Sequence, residues 1–328
     1  MRRSLAFGAA LAAILAAHAA GAQEETQPGA AAEQEASPPA ASPTLPLADI
    51  RIDIPDDELA GSPATPAARP AGPVTPATAE ERRRIAGAVV RGRLLFELAR
   101  AARLTTQDML SRISDPAAAG VSGWVAAPEG NGLVVVYYAD GEAGPETVYR
   151  AQIVGGRLAA RDVFLAGSRP PLTPTLRRMA AARAAVADLD RRPCPADAEF
   201  NVFVVPPASA DAPIEVYKLS PQLRPGRYPL GGHFLAAVAA DGTVASVRDF
   251  ARACVDIEAP AVAPGARPAP VGVTHHLDPL PTEIHVLLAL WMNRPLLVAT
   301  GEPERVWAVA QGRIGLVGDP QAQASVAR

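Results

Sequence analysis

Residues 133–166 read LVVVYYADGEAGPETVYRAQIVGGRLAARDVFLA. Three runs suited to strands, Leu133–Ala139, Glu146–Val154 and Arg157–Ala166, are separated by Asp140-Gly141 and Gly155-Gly156. Such dipeptides supply the positive-φ positions of tight hairpins, so consecutive strands should lie antiparallel. A fourth run, Gly123–Ala127, joins the set through Gly130-Asn131-Gly132. Upstream, Thr78 and Glu81 stand at capping-box spacing, and Ile85, Val89, Leu95, Phe96 and Ala99 recur near helical period to about Arg103. Thr105 predicts the cap of a second, short helix over 106–113, stopped by Asp115-Pro116. Gly87 and Gly92 either weaken the long helix or admit another backbone at close range.

The same grammar returns downstream. Pro170-Pro171 marks a boundary, and Thr173-Pro174 opens a helix running to about Leu189, with proline at its first position. Strands Glu199–Val205, Ile214–Leu219, His233–Ala239 and Thr243–Phe250 follow, the last two joined by Asp241-Gly242. The expected fold is α+β, helices packed on antiparallel sheets, with one or two helix-plus-four-strand units over 76–168 and 169–258. Arg161-Asp162 and Arg248-Asp249 fall in the last strand of each set, but their offsets from the turns differ by one residue, which would reverse the faces. The repeat is one of architecture. After a Pro/Ala linker over 259–271, residues 272–318 read as a C-terminal β-meander, and 319–328 as a disordered tail. Glu283–Met292 is apolar on nearly every side, so periodicity does not separate strand from helix. A strand is expected there, because Asn293-Arg294 turns directly into Leu296–Thr300, Arg305–Ala310 and Arg313–Val317.

The N-terminus supplies an address. Arg2-Arg3, the apolar run Leu5–Ala17 and the small residues Ala20-Gly21-Ala22 form a signal-peptide pattern over 1–22, with cleavage expected before Gln23. The run is too short to cross a bilayer stably. No cysteine lies nearby for acylation, and the residues after Arg2-Arg3 fit a twin-arginine signal poorly, so general secretion to the periplasm or medium is expected. Residues 23–75 have the Ala/Pro/Gln/Glu composition of a disordered tether. Within it Asp49-Ile50-Arg51-Ile52-Asp53-Ile54 alternates charge and isoleucine before Pro55 and Asp56-Asp57-Glu58. Period two is a strand signal, suited to addition at a sheet edge of this protein or a partner; the competing reading is chance alternation.

Formal net charge is −3, or −5 without Arg2 and Arg3, too mild to point at a polyanionic partner. The triplet Arg82-Arg83-Arg84 beside Glu80-Glu81 reads as a solvated helix face, and nucleic-acid binding is not expected. Lys218 is the only lysine, which suggests a catalytic amine; a lysine-poor, arginine-rich composition is the plainer explanation. Cys194 and Cys254, the only cysteines, should form a disulfide in an oxidising compartment, with two buried thiols as the alternative.

Chemistry has few places to reside. His275-His276-Leu277-Asp278 with Glu283 and His285 is the one dense set of potential ligands, and His276, Asp278 and His285 are the candidate metal ligands. Their spacing matches no metal motif, and adjacent histidines on an extended segment point apart. The bland alternative puts His285 in the core and the others on a loop. Gly120-Val121-Ser122-Gly123 lacks the spacing of a nucleophile elbow, His233 lacks a nucleophile or acidic orienter, and Asp188 with Asp190 reads as surface charge. Trp124, Trp291 and Trp307 read as core residues. No phosphate-binding glycine motif occurs and no cofactor is expected. The leading expectation is a non-catalytic cell-envelope protein presenting a sheet face or edge to another protein or an envelope polymer. The alternative is a metal-dependent hydrolase centred on the histidine cluster.

Overall fold

The computed structural model describes residues 75–259, 262 and 268–319. The expected signal sequence, nearly all of the expected tether with its isoleucine alternation, most of the expected 259–271 linker and the last nine residues lie outside the described residues. Among those described, no helix is long and apolar enough to cross a membrane.

Thr78 caps the first helix as its spacing predicts. Its hydroxyl accepts from the Glu81 N–H at 3.1 Å, and the Glu81 carboxylate accepts from the Thr78 N–H at 2.7 Å. Helix α1 then runs unbroken over Ala79–Arg112, so the expected second helix over 106–113 is its last two turns. Thr105 does not cap because burial gives its hydroxyl other work: it donates to the Ala101 carbonyl at 2.8 Å and lies 3.1 Å from the Tyr137 hydroxyl. A threonine satisfied by the preceding turn leaves the helical backbone intact.

Strands β1 (Val121–Glu129), β2 (Gly132–Gly141), β3 (Gly144–Val154) and β4 (Arg157–Val163) form the first sheet, antiparallel throughout and in chain order. The β2–β3 turn falls at Glu142-Ala143, two residues beyond the expected Asp140-Gly141. Helix α2 (Pro174–Ala185) follows, with Thr173 capping Leu176 and Pro174 in its first turn. The second sheet is ordered β5 (Asn201–Val204), β6 (Ile214–Leu219), β8 (Phe234–Val238) and β9 (Val244–Asp249), again antiparallel. Two short strands that the sequence reading missed, β7 (Arg227–Pro229) and β10 (Asp256–Glu258), pair apart from it.

The C-terminal unit departs from expectation at its centre. Glu283–Met292 is helix α3, not a strand. Strand β11 (Val271–His275) lies parallel to β12 (Leu296–Thr300), and a parallel pair needs a crossover, which α3 supplies. Asn293 ends the helix in the left-handed region at φ 48°. The meander β12, β13 (Arg305–Ala310) and β14 (Arg313–Leu316) then completes the sheet. A helix followed by an antiparallel meander thus occurs three times.

Both faces of the first sheet are covered. Ala126, Val135, Tyr137 and Tyr149 belong to a core shared with α1, α3 and the third sheet, while Val125, Val134, Val136 and Tyr138 belong to a second core with α2 and the second sheet. Helix α1 is the common spine. Gly92 meets α3, where a Cβ would lie 2.5 Å from Val286 Cβ and 2.7 Å from the Glu283 carbonyl, so close approach is why glycine stands there. Arg91 reaches the second sheet, and Arg93 donates to the Gly312 carbonyl in the third.

Candidate functional site

Where α1, the end of β9 and the segment 277–283 meet, two cavities lie side by side. One, of about 440 Å³, opens between Arg84 and Arg91 of α1, Glu215 of β6 and Thr282-Glu283 at the start of α3. The other, of about 620 Å³, opens between Arg191-Arg192, Gly232-His233 and Arg252-Ala253-Cys254. Arg248 and Asp278 line both and form the wall between them.

The wall is a built network. Arg248 donates to Asp278 Oδ1 at 2.9 Å, reaches Glu283 Oε1 at 3.6 Å and lies over the Phe250 ring. His275 Nε2 meets Asp278 Oδ2 at 2.9 Å. Burial opposes ionisation of Asp278, yet the His275 hydrogen bond and Arg248 outweigh it, so its carboxyl titrates below the ordinary value. Glu283, almost fully buried, also accepts from the Tyr217 hydroxyl at 3.0 Å; burial and that carboxylate push the phenol pKa upward. Arg91 clamps Glu215 with two bonds of 2.8 Å, which raises the guanidinium pKa further.

Seven arginines line the two cavities, Arg83, Arg84, Arg91, Arg191, Arg192, Arg248 and Arg252, against four carboxylates, Glu215, Asp249, Asp278 and Glu283. Each carboxylate is already engaged by an arginine: Glu215 by Arg91, Asp249 by Arg191, and Asp278 and Glu283 by Arg248. Arg84, Arg192 and Arg252 make no hydrogen bond or ion pair with the other described residues. The lining therefore carries a formal excess of three positive charges; Arg83 is held by Glu80 outside it, and Arg84, Arg192 and Arg252 are the guanidiniums without a partner among the described residues.

The floor of the larger cavity is held by hydrogen bonds and a disulfide. Cys194 and Cys254 are joined, with Cα atoms 5.6 Å apart. Ser220 Oγ accepts from the Cys194 N–H and donates to the Gly231 carbonyl, each at 2.9 Å. A Cβ on Gly232 would sit 2.7 Å from Cys194 Sγ, so the glycine pair is packing, not a phosphate loop. His233 accepts on Nδ1 from Ser220 N–H at 3.0 Å, which leaves Nε2–H to donate to the Pro229 carbonyl at 2.8 Å. Burial lowers its pKa to about 4, and both ring nitrogens are committed, so it is a structural pin and has no free atom for base catalysis.

The candidate metal ligands do not converge. His276 is exposed, while Asp278 turns to His275 and Arg248. His285 is buried, and its Nδ1 accepts from the Thr282 N–H at 3.0 Å, the role a glutamate plays in a capping box. Its Nε2 has no hydrogen-bond partner among the described residues, and the His275 ring lies edge to face at 4.8 Å. Burial first and His275 second lower its pKa to about 3. Among the described residues no three His, Cys, Asp or Glu side chains are grouped to hold a metal ion.

The single lysine is explained by packing. Lys218 Nζ lies 3.2 and 3.3 Å from the Val186 and Ala187 carbonyls just beyond α2 and 4.9 Å from the Phe200 ring centre, and burial lowers its pKa. Sequence reasoning missed Arg91, Arg191, Arg192, Glu215, Tyr217 and Arg252 as site residues and took Arg83 and Arg84 for a solvated helix face. These residues span four separate stretches of chain, so no local spacing marks them; the Arg-Asp pair at the end of β9 was the only usable signal. Comparison with family models, curated proteins and solved structures gives no match.

Proposed function

We propose that this chain is an exported, non-catalytic binding protein of the cell envelope, and that its arginine-lined groove receives an acidic segment of another polypeptide. The observation that carries this reading is the charge inventory of the two cavities: every carboxylate is engaged by an arginine, while Arg84, Arg192 and Arg252 pair with no other described residue around a shared wall. Guanidiniums in such a cluster favour carboxylates through bidentate hydrogen bonds. A polypeptide is favoured over a sugar polymer because the groove has no indole to stack on. Trp124 and Trp307 are buried and the Trp291 indole donates to Gln222. Leu235, Leu277 and Leu280 supply apolar wall between the charges. The disulfide and the signal-like N-terminus support the oxidising compartment beyond the inner membrane.

The test is fluorescence-anisotropy titration of the mature chain with labelled oligoglutamate at low and physiological salt. Binding should weaken with salt, and the triple variant R84A/R192A/R252A should lose at least tenfold in affinity with an unchanged urea midpoint. Equal affinities for variant and parent overturn the proposal.

A further inference from the structure

The groove borders an open sheet edge. Among the described residues strand β9 pairs only with β8, and five of its six residues are exposed. Side chains alternate along it: Arg248 reaches the wall between the cavities, while Val247, 37 % exposed, projects from the opposite face. A strand completing this edge should carry acid on one face and bulky apolar groups on the other.

One segment of the chain has that composition. Asp49, Arg51 and Asp53 alternate with Ile50, Ile52 and Ile54, and Asp56-Asp57-Glu58 follow, so residues 49–58 carry a net charge of −4 opposite the groove's excess of three positive charges. The segment lies outside the described residues, and its connection is long enough. The seventeen steps from Glu58 to Thr75 span up to about 55 Å when extended. Thr75 lies four residues before Ala79, the first residue of α1, whose Arg84 and Arg91 line the groove, Arg91 lying about 20 Å along the helix from its start.

We infer that residues 49–58 dock along the free edge of β9 in the same molecule and occupy the arginine groove as an internal competitor of the acidic partner. The inference rests on the receptor reading of that groove. Docking puts Asp53 and the Asp56-Asp57-Glu58 acids against the unpaired arginines and the isoleucines beside Val247. Because the segment is tethered, its effective concentration at the groove is in the millimolar range, so modest intrinsic affinity suffices to block an external ligand.

The experiment compares the mature chain with the full-length variant D53N/D56N/D57N/E58Q. A control, E24Q/E25Q/E33Q/E35Q, carries the same charge change elsewhere in the tether. Amide hydrogen exchange over 244–250 reads docking, and labelled oligoglutamate reads groove access. The first variant should lose β9 protection and bind oligoglutamate about tenfold more tightly, while the control should match the parent in both. Unchanged β9 exchange, or equal changes in the control, overturns the inference whatever the affinity. Arginine-dependent oligoglutamate binding then still upholds the receptor reading. Loss of β9 protection without oligoglutamate binding in any form upholds docking and sinks that reading instead.

Discussion

His233 and His285 are neutral in the folded protein because each is buried, with a ring nitrogen accepting a backbone N–H. Their pKa values, about 4 and about 3, lie below the unfolded value near 6.5. Between those values the unfolded chain binds the extra protons. The stability these residues contribute is therefore complete above pH 6.5 and declines as pH falls towards 4 and 3. Each should cost about 2 kcal/mol by pH 5 relative to pH 7. Urea midpoints measured across that range should show the decline, and His285→Gln, which can still accept the Thr282 N–H, should halve it, leaving the part that His233 contributes. A parent profile that is level from pH 7 to 5 contradicts the assignment. At this scale the sequence misleads: His233, His285 and Lys218 are rare polar residues that invite catalytic roles, and burial turns all three into supports.

Helix α1 shows what an element demands of its residues. Two glycines in one helix look equally costly in the sequence, yet their surroundings differ. A Cβ at Gly92 would overlap Val286 and the Glu283 carbonyl, whereas one at Gly87 would meet only the flexible tip of Arg91 at 3.6 Å. Gly92→Ala should destabilise by about 1–3 kcal/mol through overpacking against α3. Gly87→Ala should stabilise by up to about 1 kcal/mol through helix propensity. Thermal melts of the two variants check both; matching shifts would mean that α1 and α3 do not approach closely at Gly92. The cap at Thr78 and the hairpin at Gly155-Gly156 were legible because their hydrogen bonds and dihedrals are local. Helix α3 was not, because a segment buried all round has no polar face to reveal its period.

Across the whole molecule, the Cys194–Cys254 bond closes a loop with a sequence separation of 60 that includes all four strands of the second sheet. On the chain-entropy model, Cys254→Ser should cost about 4 kcal/mol, read as a lower urea midpoint that reductant no longer shifts. An unchanged midpoint would mean that the bond contributes nothing to folding. The arginine groove belongs to this scale too. The mild net charge of −3 pointed away from an acidic partner because it averages over the chain, whereas folding gathers seven arginines from α1, β9 and the loops that flank it. By itself the sequence determined the α+β class, the hairpin order of the four strands in each of the first two sheets, and the pairing of its only two cysteines, since these depend on period, turn chemistry and count. Only the tertiary structure decided that 283–292 is a helix, that His275 and not His276 meets Asp278, and that Arg84 faces one cavity and Arg192 and Arg252 the adjoining one across a shared wall. Those outcomes depend on which distant surfaces bury one another, and no local spacing records that.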